Sequence, residues 1–178
     1  MMIERTAIDG VYLIEPEPVG DERGSFARVF CRDEFRAAGL DPAVSQCSLS
    51  WQRRAGTLRG LHLQAAPHGE AKLIRCVRGA IHDVAVDVRP NSPTRGQHVV
   101  AELTADNRRA IYIAAGLAHG FQSLADDTEI LYQMSTPYVP GSQVGYHHAS
   151  PALGIYWPLP ISTLSDKDAA LPAFATVV

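Results

Sequence analysis

The sequence predicts an all-β fold, a β-barrel or β-sandwich with a few short helices. Short runs of β-type residues follow one another along the 178 residues and are separated by clusters of Gly, Pro, Asn and Asp. This spacing is typical of a sandwich or barrel. No internal repeat, low-complexity tract or long linker interrupts the runs, so we expect one domain spanning residues 1–178.

Strands are predicted where β-branched, aromatic and aliphatic residues alternate with polar residues between turn signals. Each such run is short, and Gly, Pro, Asn or Asp lies at its ends. The predicted strands are residues 11–15, 26–30, 57–64, 72–77, 80–88, 98–103, 109–113, 121–124 and 128–134.

Two short helices are expected beside the strands. Asp33 is placed to cap a helix at residues 32–38, and Gly39 can end it in a left-handed conformation. A second short helix is predicted at residues 165–169. Neither is long enough to form a layer of the fold, so the helices decorate the sheets.

A hairpin is predicted at Arg78-Gly79, because two alternating runs flank a natural two-residue turn with Gly supplying positive φ. In that register Lys72 and Asp83 are diagonal neighbours on a face that is otherwise apolar, which indicates a cavity or an interface. The opposite face, with Val84, Val86 and Val88, is apolar too. Such a sheet needs a second sheet on one side and leaves the other available to a subunit.

Composition argues against several classes of protein. Cys31, Cys47 and Cys76 are odd in number, lack CxxC spacing and follow no charged-then-apolar leader, so we expect a reduced, cytoplasmic protein. No apolar run approaches the roughly 18 residues of a membrane span. The formal net charge of -3, with both signs interspersed, argues against a nucleic-acid partner.

Two glycine-containing stretches resemble an incomplete metal site. Cupin barrels commonly bind a metal through Gly, then His-x-His and Glu, with another His in a second stretch. The first stretch here reads His62-Leu63-Gln64, and Gln is a poor ligand for the metals that imidazole suits. His119 lies in the second stretch and Glu70 is a candidate third ligand, so the predicted ligand set is incomplete.

Histidines without a metal can still transfer protons. Imidazole titrates close to neutral pH, and a nearby carboxylate makes it a stronger base. Asp83 and Asp168 are the candidates for that carboxylate. The sequence therefore predicts a histidine-centred acid/base site.

Six motifs occur in one order between residues 8 and 172, namely GDERGSF (20–26), LRGLHLQ (58–64), AKLIRCV (71–77), DVAVDVR (83–89), AHGF (118–121) and LSDKD (164–168). Together they resemble the dTDP-4-dehydrorhamnose 3,5-epimerase family. The resemblance implies a cupin-like jelly-roll barrel, a homodimer, no metal or other cofactor, and a nucleotide-diphosphate sugar as substrate. It also implies an isomerase of deoxysugar biosynthesis, which inverts C3, C5 or both in a (dTDP-)4-keto-6-deoxyhexose by proton abstraction and reprotonation.

The resemblance assigns the acid/base chemistry to three residues. His62 matches the general base, and Asp168 matches the carboxylate that orients and polarises it. Tyr132 matches the general acid, which protonates the opposite face of the enolate.

The resemblance also implies a set of substrate-binding residues. Lys72 and His119 match positions beside the sugar, where they can stabilise charge on the C4 oxygen. Arg23 and Arg59 match positions that face the pyrophosphate, a role suited to the planar fork of arginine donors. The other matches are Gln46, Tyr138, Gln143 and Lys167.

Several positions depart from the family pattern. The acid/base residues are kept, whereas a number of sugar or nucleotide contacts are not, so the chemistry is better determined than the substrate. The departures are Arg28 and Gln143 in place of Glu, Ser48 in place of Asn, Ala114 in place of Pro, and residues 147–151 in place of Trp-x-Asp-Pro.

Three alternatives stay open. The first is a 3-epimerase or keto-isomerase acting on a related nucleotide sugar, which the departures favour. The second is a non-catalytic sugar-binding barrel, against which the joint presence of His62, Asp168 and Tyr132 argues. The third is a metal-dependent cupin.

The backbone around Gly60 is expected to be irregular. Strict alternation would put Arg59 and His62 on opposite faces of one strand, yet the resemblance puts both beside the substrate. We therefore predict a β-bulge or unusual backbone at Gly60, or an Arg59 that reaches a neighbouring subunit. We also predict that His62 and Asp168 lie within hydrogen-bond reach, with Asp168 raising the pKa of His62 and burial lowering it.

Overall fold

The computed structural model describes residues 1–175 and is built almost wholly from strands, as the sequence predicts. Neither of the two helices in the described part is long or apolar enough to cross a membrane. In chain order the elements are β1 (Met2–Arg5), β2 (Val11–Glu15), β3 (Val19–Asp21), β4 (Gly24–Phe26), α1 (Arg32–Ala37), β5 (Gln46–Gln52), β6 (Leu58–Gln64), β7 (Lys72–Arg78), β8 (Ala80–Asp87), β9 (His98–Thr104), β10 (Ala110–Ile113), β11 (Leu117–Ser123), β12 (Thr128–Met134), β13 (Gln143–Gly145) and α2 (Asp166–Ala169).

Two antiparallel sheets make up the barrel. The six-stranded sheet has the order β1-β2-β10-β7-β12-β5, and the five-stranded sheet has the order β13-β6-β11-β8-β9. Strands β3 and β4 form a separate two-stranded ribbon. Apolar side chains from both sheets fill the space between them, as Ile74 and Ile130 of the larger sheet meet Ile81, Leu103 and Phe121 of the smaller.

Other parts of the chain cover part of the outer face of each sheet. Helix α1 packs Phe35 against Tyr112 on the back of the six-stranded sheet. The C-terminal part packs Leu153 and Phe174 against Val86 on the back of the five-stranded sheet. The apolar face with Val84, Val86 and Val88 is therefore covered by this chain itself.

The predicted hairpin at Arg78-Gly79 is wrong. Strand β7 pairs with β10 and β12, whereas β8 pairs with β9 and β11, so the chain crosses between sheets at this turn. Gly79 does adopt positive φ, at 77°. Lys72 and Asp83 consequently lie on facing sheets, and Lys72 pairs with Glu70 instead.

The structure differs from the sequence prediction in three further respects. Only the start of residues 26–30 is a strand, because Phe30 turns to pack on Phe35 of α1 with ring centroids 4.9 Å apart. The N-cap of α1 is Cys31, without a side-chain hydrogen bond, so Asp33 lies inside the helix. Gly39 ends the helix at φ 78°, as predicted. Strands β1, β3, β5 and β13 were not predicted.

Candidate active site

A cavity of about 410 Å³ lies between the two sheets near their open edge. Strands β6 and β11 of the smaller sheet supply one wall, and β7 and β12 of the larger sheet supply the other. Polar and titratable side chains dominate the lining, which consists of Ser50, Arg59, His62, Leu63, Gln64, Glu70, Lys72, His119, Phe121, Tyr132, Tyr138, Gln143, Ser165, Lys167 and Asp168.

A His–Asp pair lies in this cavity, as predicted. His62 Nε2 and Asp168 Oδ1 are 2.8 Å apart, although 106 residues separate them in sequence. Asp168 is almost wholly buried, while a quarter of the His62 side chain is exposed to the cavity. The Asp168 carboxylate therefore bonds Nε2 on one edge of the imidazole ring and leaves the other edge accessible.

The short helix α2 holds Asp168 in place. Ser165 caps the helix, and its Oγ accepts the backbone N–H of Asp168 at 3.1 Å. Asp168 Oδ2 accepts a second bond, from the backbone N–H of Gly60 at 3.2 Å. One carboxylate thus joins the C-terminal helix, β6 and the imidazole of His62.

A β-bulge at Gly60 brings Arg59 and His62 to the same wall, which confirms the predicted irregularity. On β11 the partners His119 and Phe121 are two residues apart, whereas on β6 the partners His62 and Arg59 are three apart. Gly60 has φ 125°, and a Cβ built there would lie 2.5 Å from the Cα of Gly120. Only glycine fits this conformation and this close approach of two backbones.

The environment of His62 favours its neutral form. Burial lowers the pKa of His62 below its ordinary value and outweighs the opposite effect of Asp168. A neutral imidazole that donates from Nε2 to Asp168 carries its lone pair on Nδ1. In the part of the chain that the structure describes, no hydrogen-bond donor engages that Nδ1, so it is available to accept a proton.

A second His–Asp pair lies beside the first. His119 Nε2 and Asp83 Oδ2 are 2.8 Å apart, and both side chains are buried. His119 is the cross-strand partner of His62 in the β6–β11 register. Two imidazoles, each with its own carboxylate, therefore stand side by side on the wall formed by the five-stranded sheet.

Tyr132 projects from the opposite wall. Its ring meets that of His119 edge to face, with centroids 6.0 Å apart. Burial raises the pKa of Tyr132 far above its ordinary value, and the charge of Asp83 adds to this. The phenol therefore holds its proton at neutral pH. It lines the same cavity as His62 but belongs to the other sheet.

The comparisons identify the family. A family model described as dTDP-4-dehydrorhamnose 3,5-epimerase matches residues 5–176. A dTDP-4-dehydrorhamnose 3,5-epimerase of Sinorhizobium fredii (strain NBRC 101917 / NGR234) is 42% identical over 174 residues, which cover 97% of this chain and 89% of the relative. This chain belongs to the dTDP-4-dehydrorhamnose 3,5-epimerase family.

Solved structures of this epimerase family share the fold. The dTDP-4-dehydrorhamnose 3,5-epimerase from Elizabethkingia anophelis NUHP1 is similar with a TM-score of 0.94 and 37% identity, covering 98% of this chain and 96% of that one. A 3'-monoepimerase from Streptomyces bikiniensis, in complex with dTDP-quinovose, is similar with a TM-score of 0.89 and 38% identity. The match covers 96% of this chain and 86% of that one. The predicted cupin-like barrel of an epimerase is confirmed.

Nine of the eleven residues that the epimerase resemblance singled out line the cavity: His62, Asp168, Tyr132, Arg59, Lys72, His119, Tyr138, Gln143 and Lys167. Gln46 is adjacent, and its Oε1 accepts the backbone N–H of Tyr138. Arg23 does not line the cavity of its own chain. It lies on the exposed β3–β4 ribbon and forms an ion pair with Asp21.

Sequence reasoning missed part of the cavity lining. Ser50, Phe121 and Ser165 line the cavity but were not predicted to be site residues. The motif Ser165-x-x-Asp168 matches the spacing of a helix N-cap and could have drawn attention to Ser165. Ser50 and Phe121 carry no comparable local signal, because they face the cavity only once the two sheets are assembled.

The candidate metal ligands are engaged with other partners. His62 and His119 each bond a carboxylate, and Glu70 pairs with Lys72. Within residues 1–175 no cluster of three or more His, Cys, Asp or Glu side chains is arranged to hold a metal ion.

Two departures from the family pattern change local charge. Gln143 accepts a hydrogen bond from Lys167 Nζ at 2.5 Å, where a glutamate would neutralise that lysine. Lys167 consequently has no ion-pair partner among the described residues. Arg28 pairs with Glu34 of α1 at 2.7 Å, so its charge is neutralised within its own chain.

Proposed function

We propose that this chain inverts C3, C5 or both in a dTDP-4-keto-6-deoxyhexose, with His62 as general base and Tyr132 as general acid. The supporting observation is that the two groups project into one cavity from opposite sheets. A sugar ring held between them meets a proton acceptor on one face and a proton donor on the other. That arrangement is what inversion beside a ketone requires.

The first step in this proposal is removal of a proton from a carbon adjacent to the C4 ketone. His62 Nδ1 accepts that proton, and the charge that develops on the imidazole is stabilised by Asp168 at 2.8 Å. The electrons of the broken C–H bond move into an enolate whose negative charge lies on the C4 oxygen. Tyr132 then gives its proton to the opposite face of the carbon, which completes the inversion.

Stabilisation of the enolate is assigned to Lys72 and His119. Both side chains line the same cavity as His62 and Tyr132. Positioned acid/base groups contribute about 10²- to 10⁴-fold each, so electrostatic stabilisation of the C4 oxygen must supply a comparable share. All of these proton transfers use side chains of the protein, and we therefore propose a reaction without metal.

The nucleotide diphosphate is proposed to lie toward the mouth of the cavity. Arg59 and Lys167 line it and have no ion-pair partner among residues 1–175, which leaves both charges free for phosphate oxygens. Tyr138 lines the same side and is 54% exposed, so its ring is available for stacking on a base.

Solvent labelling tests the proposed function. In deuterium oxide the protein should introduce deuterium at each carbon that it inverts, because an enolate intermediate exchanges its proton with solvent. Label at C3 and C5 of the sugar indicates a 3,5-epimerase, and label at C3 alone indicates a 3-epimerase. Protein dialysed against EDTA should exchange at the same rate. NMR of the recovered nucleotide sugar provides the measurement.

Two results would contradict the proposal. Binding of the dTDP sugar without any exchange would indicate the non-catalytic sugar-binding barrel. Loss of exchange on EDTA treatment, restored by added metal, would indicate the metal-dependent cupin.

We also propose a homodimer in which Arg23 serves the cavity of the partner. The β3–β4 ribbon pairs with no other strand of the described chain and exposes Val19 by 78% and Phe26 by 81%. A free two-stranded ribbon with exposed apolar side chains is marginal alone and typical of an interaction surface. Leu49, on the outer face of the six-stranded sheet, is 68% exposed and supplies further apolar surface.

Mixing two inactive variants tests this arrangement. Arg23→Ala and His62→Asn protomers, reassorted in equal amounts, should recover about a quarter of wild-type activity, because half of the dimers are mixed and each mixed dimer has one intact cavity. Sedimentation of each variant confirms that it is dimeric. Activity no higher than the mean of the two parents, or a monomer in sedimentation, would contradict the proposal.

A cytoplasmic location is part of the same proposal. Cys31, Cys47 and Cys76 are all free, as expected of a protein kept in a reducing compartment.

A further inference from the structure

Gln64 forms five hydrogen bonds at the inner end of β6. It is 3% exposed. Its Oε1 accepts from the backbone N–H of Val139 at 2.8 Å and from Ser142 Oγ at 2.7 Å. The two N–H groups of its Nε2 are shared among Glu70 Oε2 at 3.1 Å and the carbonyl oxygens of His68 and Pro137 at 3.2 and 3.3 Å. Both ends of the amide are therefore fully used.

Glu70 continues this chain of contacts to Lys72. While Oε2 accepts from Gln64, Oε1 lies 2.9 Å from Lys72 Nζ, and both side chains are only 11% exposed. A lysine side chain has four rotatable bonds and loses considerable entropy when it is held in one place. Glu70 fixes the ammonium group, and Gln64 in turn fixes Glu70.

The other end of Gln64 fastens the loop that carries Tyr138. Val139 follows Tyr138 directly and Ser142 lies four residues after it. Ser142 Oγ also bonds the Val139 carbonyl at 2.7 Å. Gln46 holds the same loop from the β5 side, through the backbone N–H of Tyr138. The loop at the mouth of the cavity is thus tied to both sheets.

We propose that Gln64 and Glu70 are positioning residues: Glu70 orients Lys72 toward the C4 oxygen, and Gln64 holds both Glu70 and the Tyr138 loop. The inference rests on the proposed function for the role of Lys72. The proposal assigns a role to Gln64, which replaces the second histidine of the incomplete metal motif, and to Glu70, which was a candidate metal ligand. An amide suits the position of Gln64 because its oxygen must accept two bonds while its two N–H groups are shared among three acceptors, and neither histidine nor glutamate offers this combination.

Glu70→Gln and Lys72→Met test the first half of the proposal. Glu70→Gln keeps the shape but removes the charge that holds Lys72, so kcat should fall by about tenfold while KM changes by less than about twofold. Lys72→Met should lower kcat by about 10²-fold, the usual cost of losing one oxyanion donor. If Glu70 acts through Lys72, adding Glu70→Gln to Lys72→Met should lower kcat by no more than about twofold further.

A charge exchange tests the contact between Gln64 and Glu70. Gln64→Glu sets a carboxylate against Glu70 and two carbonyl oxygens, so kcat should fall by more than about tenfold. In the double variant Gln64→Glu, Glu70→Gln, an amide N–H again meets a carboxylate oxygen. Its kcat should rise at least about threefold above that of Gln64→Glu alone, an effect that general destabilisation would not produce.

The loop contact is tested by binding, without catalysis. Ser142→Ala removes the bonds from Ser142 Oγ to Gln64 and to the Val139 carbonyl and leaves every cavity residue in place, so the Kd for dTDP should rise about three- to tenfold. Calorimetry with dTDP provides the measurement, and kcat should stay within about twofold of wild type. Circular dichroism of each variant confirms that it is folded.

The outcomes separate this inference from the proposed function. Equal effects of Glu70→Gln in the wild-type and Lys72→Met backgrounds, or no recovery in the exchanged pair, would overturn the positioning role of Glu70. An unchanged dTDP affinity in Ser142→Ala would overturn the role of Gln64 at the loop. Wild-type kcat in Lys72→Met itself would instead overturn the proposed role of Lys72 and leave the dTDP result standing.

Discussion

Replacing His62 by Asn should lower kcat/KM by about 10³-fold and slow exchange of the sugar's α-hydrogen at least 10²-fold, the range expected for a lost general base. Asn keeps a polar amide at the position of Nδ1 but has no atom at the position of Nε2, which lies 2.8 Å from Asp168 Oδ1 in the wild type. It cannot accept and hold the proton from the sugar. Stopped assays in water and NMR in deuterium oxide measure the two rates.

The pH dependence provides a second test of His62 as the base. Burial lowers its pKa below the ordinary value, so wild-type kcat/KM should fall only when the pH drops through that lowered pKa and the imidazole becomes protonated. In His62→Asn this acid limb should be absent from the residual activity. Full wild-type exchange by the variant would refute the assignment.

Asp168→Asn is the matched control for the pair. Asp168 raises the pKa of His62 against the larger effect of burial. Its removal should move the acid limb to still lower pH and weaken the base, with a smaller loss of kcat than in His62→Asn. An acid limb that moves to higher pH would show that another group produces it.

Local patterns predicted strands well and their partners poorly. The alternation in residues 128–134 predicted β12 with the bounds that the structure has. The turn at Arg78-Gly79 contains the glycine that a hairpin needs, yet it joins strands of different sheets. A turn residue reports the local backbone, whereas strand pairing depends on which apolar faces meet in the whole barrel.

The site was predicted largely through the resemblance. Neither periodicity nor spacing predicts that His62 contacts Asp168, because Asp168 lies on a helix 106 residues further along the chain. The bulge at Gly60 is a different case: a conflict between strict alternation and a shared role for Arg59 and His62 predicted a feature that the structure confirms.

The network around Gln64 could not have been predicted from the sequence. From the sequence, the only feature of note at Gln64 was that it occupies the position of a metal-ligating histidine in the cupin motif. Its role depends on Glu70 and on a loop more than seventy residues away, both of which reach it only in the assembled barrel. Side-chain hydrogen bonds of this kind leave no periodic signal in the chain.

The position of Tyr132 on the wall formed by β12 determines how its replacement should affect exchange and inversion. Tyr132 comes from β12 of the six-stranded sheet, whereas His62 comes from β6 of the five-stranded sheet. In the proposed mechanism the two groups therefore serve opposite faces of the substrate, and removal of one leaves the other in place. The effects on exchange and on inversion should accordingly separate.

Tyr132→Phe should lower the rate of inversion by about 10²- to 10³-fold while α-hydrogen exchange stays within about tenfold of wild type. In the wild type the rings of Tyr132 and His119 meet edge to face with centroids 6.0 Å apart. A Phe ring can keep this contact, so we expect the cavity wall to be preserved. His62 is still able to remove the proton. Because a quarter of its side chain is open to the cavity, it can exchange that proton for deuterium and return it to the same face. NMR of substrate recovered from deuterium oxide should show label with retained configuration. Equal loss of exchange and inversion, or inversion at the wild-type rate, would remove Tyr132 from the role of acid on the opposite face.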